Sequence, residues 1–240
     1  MITTSDPEMQ ILNSEIQFPP SDLLSEEPPL ETELHLRQLM LLIQCLEAWW
    51  SARNDFYAFG NLTIYYSPRQ RKSESFRGPD FFVVLGTERK PRKSWVVWEE
   101  DGRYPNVIIE ILSETTAQTD RGLKKQIYQD IWRTPDYFWF DPYSLEFVGF
   151  ELVSGQYQPL HPNDKGWLWS HQLELFLGVH QNQLRFFSSD GKLLLSPQEQ
   201  LELAQQEKAA AEQQTAMERN RAERLAAKLQ ELGIDPTQLD

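Results

Sequence analysis

The sequence predicts an α/β fold, one mixed β-sheet flanked by helices, followed by a long C-terminal α-helix. Three observations carry this. Short runs rich in β-branched and aromatic residues recur between turn residues. Helical periodicity precedes those runs and returns once among them. Residues 196–240 then shift to Ala, Gln, Glu and Arg. The order helix, strands, helix, strand, hairpin is that of an α/β sandwich around a single sheet.

Residues 1–33 are rich in Pro, Glu and Ser and carry eight acids with no Lys or Arg. Such a segment buries little surface, so a flexible acidic leader is expected. From about Glu33 to Arg53, helical spacing links Leu36, Leu39, Met40, Ile43, Leu46 and Trp50, and Asn54-Asp55 breaks it. Strands are expected over 62–66, 81–85, 95–98 and 107–112, punctuated by Gly60-Asn61, Asp101-Gly102 and Pro105-Asn106. A second helix opens at Thr119-Asp120 and runs through Lys124, Ile127, Tyr128 and Ile131 to Thr134-Pro135. A strand at 137–140 follows, then a hairpin of 147–153 and 157–160 turned at Ser154-Gly155. Two short strands are expected near 173–177 and 184–187.

Ser196-Pro197-Gln198-Glu199 is a capping box with proline at the first helical position, and Gly233 with Pro236 marks the stop. The domains are therefore a leader, 1–33, an α/β domain, 34–195, and a charged helix, 196–240. The best coiled-coil seam of that helix is Leu201, Ala204, Lys208, Ala211, Thr215, Glu218, Ala222, Leu225, Leu229 and Leu232, and only its last four positions form an unbroken apolar run. It fits either a short association patch for a protein partner or a solvated helix.

Hydrophobic content of 40% supports a core. Cys45, the one cysteine, excludes an intrachain disulfide, suits a reducing cytoplasm and sits in an apolar helical run, where it is read as packing. The first residues lack the basic and apolar regions of an export signal, and no apolar stretch reaches the ~18 residues that span a bilayer. A cytoplasmic protein without membrane contact is expected. The net charge of -13 is uneven, because residues 34–195 hold nineteen acids against eighteen bases. Arg69, Arg71, Lys72, Arg77, Arg89, Lys90, Arg92 and Lys93 flank Asp80, either as solvated loops or as phosphate contacts.

Two acids adjoin apolar strands. Asp80 opens Phe81-Phe82-Val83-Val84, and Glu110 interrupts the run from Val107 to Leu112. A carboxylate in such a run is costly unless it is paired. Mg²⁺ takes one or two carboxylates and keeps waters, polarises a phosphoryl oxygen and activates a bound water. A nearby ammonium would stabilise the developing charge. Lys124 has Asp120 and Tyr128 one helical turn away on either side, a stripe able to face one cleft. These residues suit metal-assisted phosphodiester cleavage. Asp80 alone also fits a turn, and Glu110 fits a structural ion pair with Lys124 or Arg121. His35, His161, His171 and His180 form no zinc-binding spacing, and Gly122 belongs to no nucleotide-binding loop. Trp49, Trp50, Trp95, Trp98 and Trp139 are expected in packing, leaving Trp167 and Trp169 freer to stack on a ligand.

Gly78-Pro79-Asp80 with its strand, Val107 to Ser113, Thr119 to Tyr128 and Tyr137 to Pro142 resemble, in order and spacing, the Uma-type restriction-endonuclease-like family of the PD-(D/E)XK nuclease superfamily. The resemblance covers roughly residues 35–190, and the tail ending Leu232-Gly233-Ile234-Asp235-Pro236 is similar to tails of many members. It implies a restriction-endonuclease-like fold, DNA as substrate, Mg²⁺ or Mn²⁺ as cofactor, and a homodimer. By the same resemblance Asp80 is the motif aspartate and Glu110 the second metal-binding acid. The superfamily places lysine two residues after that acid, where this chain has Leu112. The Uma-type pattern instead uses a lysine on the next helix, which is Lys124. Asp120 and Tyr128 match supporting positions, and Glu47 is the available first-helix acid. The competing expectation is a catalytically silent nuclease-like scaffold acting through its C-terminal helix.

Overall fold

The computed structural model describes residues 32–66, 76–113 and 120–231, so residues 1–31 and the bases Arg69, Arg71 and Lys72 lie outside the description. The chain divides into two units, 1–194 and 195–240. In chain order the first holds α1 (Glu33–Trp49), β1 (Phe56–Phe59), β2 (Ile64–Tyr65), β3 (Phe76–Arg77), β4 (Phe81–Leu85), β5 (Trp95–Val96) and β6 (Val107–Ile111). Helix α2 follows, made of π-type turns Asp120–Lys124 and Tyr128–Trp132 around a short α-helical stretch, Lys125–Ile127. Then come β7 (Asp136–Phe140), β8 (Phe147–Val153), β9 (Gln156–Pro159), β10 (Leu168–Ser170), β11 (Leu175–His180) and β12 (Gln183–Phe187).

The main sheet has the order β1-β4-β6-β7-β8-β9, with only β6 and β7 parallel. Side chains alternate across it. Phe81, Val83, Val107, Ile109 and Ile111 join a core with Leu39, Leu42 and Leu46 of α1 and with the β10-β11-β12 sheet. Phe82, Val84 and Ile108 face the other way, against Ile127, Tyr128 and Trp132 of α2 and Trp95 of the small β3-β2-β5 sheet. Both faces being covered explains why β4 and β6 read as continuous apolar runs. The mixed α/β class expected from the sequence is the architecture observed. At Ser154-Gly155, φ angles of +50° and +83° are those of a two-residue turn matched to strand twist.

The buried stripe of α1 differs from the expected one. It consists of His35, Gln38, Leu39, Leu42, Cys45 and Leu46, while Leu36 and Met40 are exposed. Gln38 explains the rotation. Its side chain donates to the carbonyl of Leu184 and accepts from the Leu184 N–H, both at 2.9 Å, so the helix docks on β12 through a buried polar residue whose bonds are made. The same rotation turns Trp49 out, at 51% exposure, and corrects its expected place in packing; Trp50 and Trp95 are buried. Trp167 stacks on Phe187, with centroids 3.8 Å apart, and Trp169 meets Phe176 edge-on, so both take part in aromatic packing on the β10-β11-β12 sheet.

Asp136, at the start of β7, is buried and accepts from Ser170 Oγ and the Gln172 N–H. Burial pushes its carboxyl above the ordinary 3.8, and those two hydrogen bonds only partly oppose the shift. A raised folded value means that the native state holds the proton more tightly than the unfolded chain. Stability from this group is therefore greatest below the unfolded value and falls as pH rises through the folded one. Asp136→Asn does not titrate. Its melting temperature relative to wild type is expected to rise between acid and neutral pH, as thermal melts at both would show.

The second unit contains α3 (Pro197–Glu231). Its start is the expected capping box: the Glu199 N–H donates to Ser196 Oγ at 3.3 Å, and the Ser196 N–H to Glu199 Oε2 at 2.7 Å. Leu201, Leu203, Met217 and Leu225 are exposed along it. Among the described residues no helix is long and apolar enough to cross a membrane.

Candidate active site

Antiparallel pairing of β4 with β6 sets Phe81 opposite Ile109 and Val83 opposite Val107. The same register puts Asp80, one residue ahead of β4, beside Glu110. Each carboxylate accepts from a backbone N–H of the facing segment. The Asp80 N–H donates to Glu110 Oε2 at 3.2 Å, and the Ile111 N–H donates to Asp80 Oδ2 at 2.7 Å. The loop beneath is equally tight. A Cβ on Gly60 would fall 1.9 Å from the Asp80 carbonyl oxygen, so only glycine lets the two backbones approach, and the next N–H, of Asn61, donates to that carbonyl.

Glu110 shares the β6 face of Ile108, toward α2, and is fully buried. Lys124 Nζ donates to its Oε2 at 3.1 Å, and Tyr128 OH donates to its Oε1 at 2.6 Å. The wide i→i+5 turns of α2 present these two residues, four apart, to the same carboxylate. Each acceptor oxygen is thereby engaged, which offsets the cost of a carboxylate inside the sheet.

Asp80 is mostly buried, which by itself would raise its carboxyl. The nearby His35 ring, the Lys124 charge and the Ile111 N–H outweigh that and hold it below the usual carboxylate range. Two carboxylates against one ammonium leave a formal excess of negative charge, in a pair of hard oxygen donors. Such a set fits a divalent ion that takes one or two carboxylates and completes its shell with water and substrate oxygen. Among the described residues no group of three or more His, Cys, Asp or Glu is gathered as a cage.

The structure thus brings together Asp80, Glu110, Lys124 and Tyr128. Asp120 begins α2, but its side chain lies outside the described residues. Glu47 lies twelve residues along α1 from His35, the residue beside Asp80, and accepts from Arg89 Nη2 at 2.9 Å, on exposed surface. Leu112 packs in the core. Of the basic stretch, Lys90 pairs with Glu88, and Arg92 is buried against Glu100 between Tyr57 and Trp95.

One neighbour was not expected. His35, on the first turn of α1, brings Nε2 to 3.1 Å from Asp80 Oδ1 and is itself almost fully buried. A search for paired histidines within one element passes over a ring that meets its acid across forty-five residues of chain. The available signal was a polar residue one turn before Leu39, on the helix face that turns inward.

The fold is similar to that of a solved protein described as a putative nuclease belonging to DUF820 from Anabaena variabilis ATCC 29413, with a TM-score of 0.47 and 14% identity. That likeness covers 63% of this chain and 80% of the other. No curated protein matches the chain. Residues 22–184, more than half of the sequence, match the Uma2 family, described as "Putative restriction endonuclease", and the chain belongs to that family.

Proposed function

We propose that the protein is a Mg²⁺- or Mn²⁺-dependent endonuclease that hydrolyses DNA phosphodiester bonds. The observation that supports this most is the approach of Asp80 and Glu110 on paired strands, with Lys124 Nζ 3.1 Å from Glu110. Asp80 and Glu110 would hold the ion, which when bound polarises a phosphoryl oxygen and eases ionisation of a water. The chain's own groups do the rest. The Ile111 N–H fixes Asp80, and Tyr128 OH fixes Glu110. Lys124 places an ammonium where negative charge grows on the phosphoryl oxygens. The family's description as restriction endonucleases favours DNA over RNA.

The test is incubation of the purified protein with supercoiled DNA and with an RNA of matched sequence, in Mg²⁺, Mn²⁺ or EDTA. Nicking of the DNA in either metal and none in EDTA is expected. A folded protein that cleaves neither substrate would defeat the proposal. A second reading, a scaffold acting on a protein partner, is favoured by the exposed Leu201, Leu203, Met217 and Leu225 of α3. On that reading Asp80→Ala leaves the protein's cellular role intact, and truncation before Ser196 removes it.

A further inference from the structure

We infer that the Lys125 ammonium binds a backbone phosphate of the DNA beside the one that is cut, and so lays the strand across β7 and β8. The inference deepens the nuclease reading above and rests on it.

Lys125 is half-buried on α2. Its Nζ stands 3.5 Å from the ring centre of Phe150 and 5.8 Å from that of Trp139, and the two rings lie 5.0 Å apart. Ring faces attract an ammonium, but they supply no oxygen for its three N–H donors. Among the described residues Lys125 has no carboxylate partner, whereas Lys124 pairs with Glu110, Lys90 with Glu88 and Arg92 with Glu100. Burial pushes the Lys125 ammonium below its ordinary 10.5, and no anion opposes that shift. The buried Nε1–H of Trp139 also finds no acceptor among the described residues. This corner of the fold therefore offers a cation and donors, and no oxygen to receive them. A charge drawn from water without a counter-charge is costly, and buried donors are normally satisfied. A phosphate oxygen supplies what the corner lacks.

The corner lies beside the proposed site. In the parallel register of β6 and β7, Trp139 is the partner of Glu110, and partners on adjacent strands point to one face. Phe150, on β8, packs with Trp139 on that face. Lys124 thus leans from α2 toward β6, and the next residue, Lys125, leans toward β7 and β8. The Lys125 ammonium stands one to two strand spacings, about 5–10 Å, from Glu110. A DNA strand that sets one phosphate at Asp80 and Glu110 and runs toward β8 brings a neighbouring phosphate to Lys125.

The experiment is equilibrium binding of a short fluorescent DNA duplex to the full chain and to its Lys125→Met and Lys125→Arg variants, in Ca²⁺ and in EDTA, over a range of salt. Lys125→Met is expected to weaken binding several-fold, by the same factor on duplexes of different sequence. It is also expected to lower the slope of log K against log salt by about 0.9, the loss of a single phosphate contact. Lys125→Arg is expected to restore that slope. Acetylation of the unsubstituted protein with and without duplex, read by mass spectrometry, is expected to show Lys125 protected, a readout that stands even if a variant fails to fold. An unchanged slope in a folded Lys125→Met, an equal drop in Lys125→Arg, or no protection of Lys125 would overturn the inference. If DNA binds through Lys125 and no metal brings cleavage, the nuclease reading alone falls. If the protein cleaves DNA and the slope is unchanged, the inference alone falls. If the unsubstituted protein binds no DNA in either condition, both fall.

Discussion

Glu110→Ala is expected to lose about 3–5 kcal/mol of folding stability, the cost of breaking a buried ion pair by removing one partner. The carboxylate is fully buried, and Lys124, Tyr128 OH and the Asp80 N–H all donate to it. Alanine takes that shared acceptor away, and a cavity in the middle of β6 adds to the loss. The Lys124 side chain, 14% exposed, reaches solvent only by leaving α2's inner face, so relaxation returns part of the energy. Urea unfolding at neutral pH would measure the loss. Glu110→Gln, which keeps an acceptor oxygen and the volume, should lose less. Adding Lys124→Met to Glu110→Ala should recover part of the loss, since neighbours in one network are not additive. A Glu110→Ala protein as stable as wild type would show that this cluster does not hold the sheet together.

Lys124→Met is expected to lower kcat on DNA by about 100- to 1,000-fold, with little change in KM, if the ammonium acts on charge that exists only in the transition state. That corresponds to about 2.7–4 kcal/mol of lost stabilisation. Methionine matches the length of the stem and keeps its packing, so the comparison isolates the charge. Arginine should not restore the rate, because its planar fork does not fit a pocket that holds a point charge against Glu110 Oε2. A rise in KM at unchanged kcat would instead mean that Lys124 only binds the substrate backbone. Single-turnover cleavage in saturating metal separates the two outcomes.

Much of the sheet is legible in the chain because its strands are buried on both faces. Residues 81–85, 107–112 and 147–153 announce themselves as apolar or aromatic runs between turn residues, and the strands fall there. The capping box at Ser196 and Glu199 is local chemistry, and it forms as spacing dictates. Strands β2 and β5 fall within the expected runs 62–66 and 95–98 but are only two residues long, and β3, two residues paired with β2, carries no pattern long enough to detect. The inner face of α1 is read only in part: Leu39, Leu46 and Trp50 are buried as expected, but Leu36 and Met40 are not, because periodicity counts apolar residues and that face includes Gln38 and His35. Gln38 goes inside because it bonds the β12 backbone, a partner 146 residues away that no local window contains.

The candidate site divides the same way. Glu110 is conspicuous as a charge inside an apolar strand, and Lys124 and Tyr128 follow from helical spacing. That they reach the same carboxylate depends on β6 and α2 packing together, which spacing does not supply. His35 depends on the end of one helix meeting the start of β4, a purely tertiary event. Each residue found from sequence alone stands on an element with a pattern of its own, and the one overlooked owes its place to a contact between elements.

The most direct test of a metal-dependent nuclease is nicking of supercoiled plasmid by wild type and Asp80→Ala, purified side by side, in Mn²⁺, Mg²⁺ and EDTA. Metal-dependent conversion to the nicked form by wild type, absent in a folded Asp80→Ala, is the expected result. Equal nicking by both proteins, or none by either while both are folded, would contradict the assignment of catalysis to the Asp80–Glu110 pair.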